Sequence, residues 1–335
     1  MRNPVLIELT RGQRVESRHT GAIALVRASG EIVASIGDVD TPVFPRSAIK
    51  PLQAIPCIET GAADRFGFGS PEIALASASH SGTPEHAALA QSMLERAGLT
   101  VGSLACGAHE PLDVESARAL VRASAPATAL HHNCSGKHAA MLVTAVHAGE
   151  PTEGYWHHGH PVQVRIARVL EDLTGQPMRD DVRGIDGCGV PNWAIPLRAL
   201  AQAWARFATG TRLAEPRAQA CHRIAGACWH HPELVAGAGR LDSAVMGRLN
   251  GTVLLKAGAE GVYCGALAEL EVGFALKIDD GAKRAAETAA LALITRIYPA
   301  AAGLGPATRL TNWSGVETGS IQPASALDCL LAQID

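Results

Sequence analysis

The order of apolar patterns along the chain is the feature that most limits its fold. Short strand-like runs occupy the first forty residues and recur between 252 and 278, whereas residues 114–239 mainly show the spacing of amphipathic helices. A long helix over 282–298 and a final strand over 316–321 follow. Sequential strands joined by short turns pair antiparallel. We therefore predict an α/β (α+β) fold, in which N- and C-terminal strands form one antiparallel sheet flanked by helices, with a mostly helical second lobe.

No internal repeat or low-complexity linker divides the 335 residues, which predicts a single two-lobed domain. The sheet lobe is expected over about 1–60 and 240–335, and the helical lobe over about 61–239. Ligand sites favour clefts between such lobes. We therefore expect the chemistry-bearing residues to come from both lobes.

Composition removes several classes of function. The net charge is −3 and no basic block occurs, so we expect no nucleic-acid partner. The longest apolar stretch, residues 285–294, contains Glu287 and is too short to cross a bilayer, and residues 1–10 lack the apolar core of a signal peptide. The expected location is therefore cytoplasmic, without a membrane partner. Eight irregularly spaced cysteines favour free thiols or a metal site over disulfides.

Lysine is scarce, which makes each lysine informative. Only five of the 29 basic residues are lysines, and a bias toward arginine codons is the simplest cause. Arginine stays charged, whereas a buried lysine can lose its proton and act as a base or ligand. Lysines that persist in such a chain are therefore good candidates for chemistry.

A Ser-x-x-Lys element, Ser47 to Lys50, lies where a helix is predicted to begin near Ser47 and to end at Gly61. The spacing puts both side chains on one helix face. A neutral lysine can take the proton of a serine hydroxyl and so make it nucleophilic. Alone, the motif is weak, because Ser and Lys three residues apart occur often by chance, and an N-cap serine followed by a solvated lysine is the commoner explanation.

Two further segments add to this element. Lys256-Ala257-Gly258 ends a predicted strand, where Ser-x-x-Lys acyltransferases carry a Lys-x-Gly element that lines the site. Ser79 lies in a turn over 79–82 that we expect to be flexible, and it could supply a second hydroxyl. On spacing alone, Ser79 is better explained as an ordinary loop serine.

A third group is rich in thiols. Cys134 and Cys188 are 54 residues apart in Gly-containing loops, with Lys137, His138 and Asp186 beside them in the sequence, and could bind zinc together. Without a Cys-x-x-Cys pair, spacing alone favours buried thiols. Metal-like groups also occur elsewhere, at His157-His158-Gly159-His160 and at Cys228, His230 and His231.

The sequence resembles the Rhizobium etli-type L-asparaginases (class 3, also called the asparaginase II family), which are related in structure to serine glutaminases and class A β-lactamases. The resemblance runs nearly end to end and four of the five lysines fall within its motifs. The matching segments are 46–53, 78–82, 132–138, 186–191, 256–262 and 275–281.

The resemblance implies a set of roles for these residues. The two Ser/Lys pairs fall on Ser47 with Lys50 and on Ser79 with Lys256. One zinc per chain would be held by Cys134, Lys137 and Cys188; it would modulate substrate binding without being strictly required. We expect Arg46, His138 and Asp186 to contact the substrate. A lysine that binds zinc must be neutral, which two thiolates and zinc together are expected to favour.

The predicted function is therefore that of an L-asparagine amidohydrolase (EC 3.5.1.1), which would release L-aspartate and ammonia through a serine acyl-enzyme. The family forms homodimers and has little activity on glutamine. The chain is shorter than that family between the Cys188 loop and Lys256, which puts only this stretch in doubt. Two alternatives remain, a penicillin-recognising serine acyltransferase of β-lactamase type and a non-enzymatic zinc-dependent regulatory protein.

Overall fold

The structure is a computed structural model that describes residues 3–334. The strands are β1 (Val5–Arg11), β2 (Arg14–Arg27), β3 (Ile32–Ile36), β4 (Arg183–Ile185), β5 (Pro191–Trp193), β6 (Val253–Ala257), β7 (Val262–Leu267), β8 (Val272–Ile278), β9 (Arg309–Thr311) and β10 (Glu317–Pro323). The helices are α1 (Lys50–Glu59), α2 (Ala62–Arg65), α3 (Ser70–Ala76), α4 (Pro84–Arg96), α5 (Val114–Arg122), α6 (Ser135–His147), α7 (Pro161–Thr174), α8 (Leu197–Thr209), α9 (Glu215–His230), α10 (Pro232–Val235), α11 (Leu241–Arg248), α12 (Lys283–Ile297) and α13 (Ser325–Leu331).

The chain divides into two compact units. The sheet unit comprises the chain up to Ala48, Ala194–Thr209 and the chain from Ala244 onward. The helical unit comprises Ile49–Trp193 and Gly210–Ser243. Among residues 3–334, no helix combines the length and the apolar composition that crossing a bilayer requires.

One antiparallel sheet organises the sheet unit, in the order β6-β7-β8-β2-β1-β10-β9. The long strand β2 makes this possible, since its first half pairs with β1 and its second half pairs with β8 on one side and β3 on the other. N-terminal and C-terminal strands therefore share one sheet, which confirms the predicted fold class.

Helix α8 packs on β2, β7 and β8 in the sheet unit. The contact is close because Gly273 has no side chain; a Cβ there would lie 1.9 Å from the carbonyl oxygen of Ala201. The sequence placed this segment in the helical lobe and α1 in the sheet lobe. The division differs because α8 buries its apolar face on strands, whereas α1 packs on α6, α7 and α9.

Helices α1 and α6 form the centre of the helical unit. All residues from Lys50 to Cys57 of α1 and from Ser135 to Ala145 of α6 are buried. Gly136 lets α6 touch α3, since a Cβ there would lie 2.3 Å from the carbonyl oxygen of Leu75. The interior of this unit therefore contains buried polar and ionisable side chains, among them Lys50 and Lys137.

Candidate functional site

Ser47 lies in a 3₁₀ turn, Arg46–Ile49, and α1 begins at Lys50. The sequence predicted a helix from near Ser47, but the α-helix begins three residues later, with Pro51 in its first turn. Arg46 has φ 53°, a left-handed conformation that is uncommon outside glycine. Such a conformation costs about 1–3 kcal/mol and is frequent at functional sites. The backbone just before Ser47 is thus held in an unfavourable conformation.

The Lys-x-Gly segment touches this turn within the sheet unit. Lys256 is 1% exposed on β6, and its Nζ donates to the carbonyl oxygen of Ala257 at 2.9 Å. A Cβ on Gly258 would lie 2.5 Å from the carbonyl oxygen of Pro45 and 3.3 Å from the amide nitrogen of Ala48. Only glycine therefore fits at 258, and the structure brings the segment predicted to line the site against the turn that carries Ser47.

Lys50 is fully buried in the helical unit. Its Nζ donates to the carbonyl oxygens of Ala78 at 2.7 Å and Asn133 at 3.2 Å. These carbonyls directly precede Ser79 and Cys134 in the chain. The lysine thus joins the Ser79 and Cys134 segments, which sequence alone could not place together.

The turn over 79–82, which the sequence predicted to be flexible, is buried and hydrogen-bonded to a second segment. Ser79 is 7% exposed and its amide donates to the carbonyl oxygen of Val235 at 2.8 Å. The Ser81 hydroxyl donates to the carbonyl oxygen of Ala236 at 2.7 Å. Gly82 has φ 75°. Since buried polar backbone must be hydrogen-bonded, these partners allow the turn to lie inside the protein.

His80 connects this turn to α6. Its Nδ1 accepts from the amide of Gly82 at 3.1 Å, so its Nε2 carries the hydrogen and donates to the Ser135 hydroxyl at 2.9 Å. Burial, followed by the charges of His86 and Lys50, holds the pKa of His80 well below its ordinary value. His80 is therefore a neutral structural donor. Sequence reasoning missed Ser135, because nothing in its spacing marks it.

Cys134, Lys137 and Cys188 converge, as the resemblance implied. Lys137 Nζ donates to the Cys188 sulfur at 3.1 Å, and Cys134 and Cys188 share a side-chain hydrogen bond. The Cys188 thiol lies 3.5 Å from the Asp186 carboxylate. All three predicted ligands are at most 3% exposed. We call these three side chains the thiol–amine cluster.

Charge is distributed unevenly in the thiol–amine cluster. The hydrogen bond from Cys188 lowers the pKa of Cys134 well below its usual range despite burial, with help from the positive charges of Lys50 and Lys137. The same bond, together with burial, raises the pKa of Cys188. Burial lowers the pKa of Lys137, but the charges of Cys188, Cys134 and Asp186 outweigh burial and raise it overall. The thiols themselves favour the ammonium form of Lys137, and the expectation that two thiolates and zinc together favour its neutral form stays a prediction.

Two sulfurs and an amine are a donor set that suits zinc, a metal that prefers nitrogen and sulfur ligands. Within residues 3–334, no group of three or more histidine, cysteine, aspartate or glutamate side chains is arranged to hold a metal. A metal here therefore requires the lysine as its third protein ligand. Its binding would displace the proton that the thiols hold on Lys137.

His138 lies beside the cluster and is fully buried. Its Nδ1 is 2.6 Å from the Tyr155 hydroxyl, and its ring also interacts with Cys188. Burial lowers the pKa of His138 to about 4, so the imidazole is neutral at physiological pH. Sequence reasoning missed Tyr155, which reaches the cluster only through tertiary packing.

The other metal-like groups have ordinary structural partners. His160 caps α7 by accepting from the amide of Val162 at 3.2 Å, and His230 Nδ1 bonds the carbonyl oxygen of Gly226 at 2.6 Å. His157 and His158 line a cavity of about 270 Å³ beside the Cys188 loop, together with Trp156 and Arg183. None of these histidines belongs to a metal-binding group within the part of the chain that the structure describes.

The motif over 275–281 makes its hydrogen bonds within the sheet unit. Lys277 Nζ donates to the carbonyl oxygens of Glu260 and Ile278. Asp279 accepts from Thr20 at 2.6 Å, and Asp280 lies 2.6 Å from His19. These contacts fix the end of β8 to β2 and to the turn before β7. Lys277 is thus a motif lysine with a structural role.

Two solved structures of known proteins align over much of the chain with low superposition scores. The protein called Mglu is 15% identical, with a TM-score of 0.36 over 86% of this chain and 69% of its own. A β-lactamase from Mycobacterium bovis is 12% identical, with a TM-score of 0.36 over 79% of this chain and 89% of its own. Curated protein sequences gave no significant match.

The family comparison covers nearly the whole chain. Residues 7–323 match the family described as L-asparaginase II. This range contains both Ser/Lys pairs, the Lys-x-Gly segment and the thiol–amine cluster. The chain belongs to the L-asparaginase II family.

Proposed function

We propose that the protein is an L-asparagine amidohydrolase of the Rhizobium etli type, working in the cytoplasm as a homodimer. The observation that carries this proposal is the burial of Lys50 with its Nζ on the carbonyls that precede Ser79 and Cys134. A buried amine next to two family motifs, three residues after Ser47, supports Lys50 as the base of a Ser/Lys pair. Family membership supports an amide substrate.

The chemistry is a double displacement. The Ser47 hydroxyl gives its proton to Lys50 and attacks the side-chain amide carbon of asparagine. Backbone N–H groups of the turn stabilise the oxyanion. The C–N bond then breaks, and ammonia leaves with a proton that Ser79 and Lys256 deliver. Water, deprotonated by the same bases, hydrolyses the β-aspartyl ester and regenerates Ser47.

The Gly258 contact supports the assignment of the nucleophile. The strand end that carries Lys256 packs closely against the backbone of the turn that contains Ser47. A small displacement of the strand end or of the turn would therefore move the Ser47 hydroxyl. Misplacement of a reacting group by about 1 Å can cost about 100-fold in rate. Arg46 precedes Ser47 and has a left-handed backbone conformation, of a kind that proteins often retain at functional sites. Its guanidinium would bind a substrate carboxylate.

The thiol–amine cluster would hold one zinc, which would supply a positive charge for the substrate's α-carboxylate or a coordination position for its neutral α-amino group. His138 and Asp186, which both interact with Cys188, would orient this contact with the substrate. Such a contact improves binding of the ground state and transition state alike, so the zinc would modulate substrate binding without being strictly required for turnover.

The test is ammonia release by the purified protein from asparagine, glutamine and β-aspartyl dipeptides, with added zinc and with a chelator. We expect rapid release from asparagine in both conditions, with a lower KM when zinc is present. Nitrocefin turnover without asparagine turnover would favour a β-lactamase-type acyltransferase. Zinc binding without release of ammonia from any amide would favour a regulatory protein.

A further inference from the structure

Tyr155 is a buried tyrosine in the loop between α6 and α7 whose role the reaction above does not explain. It is 0% exposed. Its hydroxyl accepts from the amide of Ala105 at 2.9 Å and lies 2.6 Å from Nδ1 of His138. Both contacts have good hydrogen-bond lengths. The hydroxyl therefore sits between one obligatory donor and an imidazole whose tautomer is open.

The hydrogen-bond donors around the Tyr155 hydroxyl determine which tautomer His138 adopts. A backbone N–H can only donate, so the hydroxyl accepts from Ala105 and its single hydrogen is free for His138. If His138 Nδ1 carried the hydrogen instead, the phenolic hydrogen would have no acceptor in a buried place, which costs free energy. His138 Nδ1 is thus the acceptor, and the imidazole hydrogen lies on Nε2.

His138 Nε2 is buried and makes no hydrogen bond within residues 3–334. Cys188 is a polar neighbour of the ring, and its interaction with the imidazole partly offsets the lowering of the His138 pKa by burial. The same sulfur accepts from Lys137 at 3.1 Å. An Nε2–H group directed at Cys188 would hold that sulfur from the side of α6.

We propose that Tyr155 is a positioning residue that acts through His138: it fixes the Nε2–H tautomer, and that N–H group keeps the Cys188 sulfur in place to bind a metal with Cys134 and Lys137. The consequence for zinc rests on the proposed function of the cluster, whereas the tautomer does not. Groups that orient metal ligands in this way commonly change metal affinity by about 10–100-fold when they are removed.

A double-mutant cycle on zinc affinity tests the route of this effect. Zinc dissociation constants would be measured by competition with a chromophoric chelator for wild type, Tyr155→Phe, His138→Gln and the double variant. We expect Tyr155→Phe to weaken binding about tenfold. In the His138→Gln background the same change should have no further effect, because its path has been removed. Equal losses in both backgrounds would show that Tyr155 acts by packing and would overturn the proposal.

The matched control is Tyr263→Phe, a buried tyrosine on β7 of the sheet unit. It should leave the zinc dissociation constant unchanged. A loss equal to that of Tyr155→Phe would mean that both changes act through general destabilisation, and would also overturn the proposal.

The tautomer is measured without metal, by long-range ¹⁵N–¹³C NMR correlations of histidine-labelled wild type. The expected result is a neutral His138 protonated on Nε2, assigned by its loss in His138→Gln. Protonation on Nδ1 in the wild type would overturn the proposal even if Tyr155→Phe failed to fold. If wild type shows the Nε2–H form but binds no zinc, the metal part of the proposed function fails while the role of Tyr155 in fixing the tautomer stands.

Discussion

Two lysines buried in the helical unit have different chemical surroundings. Lys50 donates to two neutral carbonyl oxygens, whereas Lys137 donates to a sulfur beside a second thiol and a carboxylate. The charges around Lys137 raise its pKa above the ordinary value, so it stays an ammonium unless a cation displaces its proton. Burial alone therefore does not define the role of a lysine. The hydrogen-bond partners of the two lysines differ, and this difference is the basis on which we propose Lys50 as a base and Lys137 as a metal ligand.

Replacement of each lysine tests the difference between their roles most directly. Lys50→Met should lower kcat by about 10²–10⁴-fold, because it removes the base that we propose for the Ser47 proton. Lys137→Met should mainly raise KM and lower zinc content. The measurement is kcat and KM for asparagine in both variants, with circular dichroism to confirm folding. A Lys50→Met variant that retained wild-type kcat would remove Lys50 as the base.

A substitution that touches neither lysine separates positioning from proton acceptance. Gly258→Ala would put a Cβ 2.5 Å from the carbonyl oxygen of Pro45, so the turn that carries Ser47 must shift. We expect kcat to fall about 100-fold with Lys50 and its partners intact. Gly159→Ala is the control, since its Cβ would meet nothing within 4 Å and should leave kcat unchanged. Equal kcat in the two variants would mean that the turn does not position the nucleophile.

Substitutions of the two cysteines should have different effects, because Cys134 interacts with both lysines. The charges of Lys50 and Lys137 both act on Cys134, whereas Cys188 contacts Lys137. Cys188→Ser should weaken zinc binding about 10–100-fold and raise KM more than it lowers kcat. Cys134→Ser should do the same and also change kcat, since it alters the surroundings of Lys50. Identical kcat values in the two variants would show that the base and the cluster are independent.

The smallest expected effect is on stability at acid pH. The folded-state pKa of His80 is well below its unfolded value of about 6.5, so as pH falls below about 6.5 the unfolded chain binds a proton that the folded chain does not. The free energy of unfolding therefore decreases as the pH is lowered below about 6.5. Urea unfolding at pH 7 and pH 5 should show a smaller loss in His80→Asn than in wild type. The control is His158→Asn, at an exposed histidine. If its loss of unfolding free energy between pH 7 and pH 5 were as small as that of His80→Asn, the effect would not originate at His80.

Much of the fold could be predicted from periodicity. The long helix predicted over 282–298 corresponds to α12, and the final strand predicted over 316–321 overlaps β10. The start of α1 was misplaced because Pro51 fits a first turn at either position. The location of α8 depended on which surface its apolar face would cover, and periodicity does not contain that information.

The candidate site was predictable only as separate segments. Sequence motifs identified Lys50, Cys134 and Cys188, but not that Lys50 would bond the carbonyls of Ala78 and Asn133, since any residue can supply a carbonyl. Tyr155 could not be found either. It lies 17 residues from His138, and only tertiary packing brings its hydroxyl to the imidazole.

The central claim is that Ser47 carries the acyl group. Wild type and Ser47→Ala would be mixed with asparagine, acid-quenched during turnover, digested and analysed by mass spectrometry. The account predicts a β-aspartyl ester on the peptide that contains Ser47, and in Ser47→Ala neither this ester nor ammonia release. An ester on the peptide that contains Ser79, or wild-type ammonia release by Ser47→Ala, would contradict it.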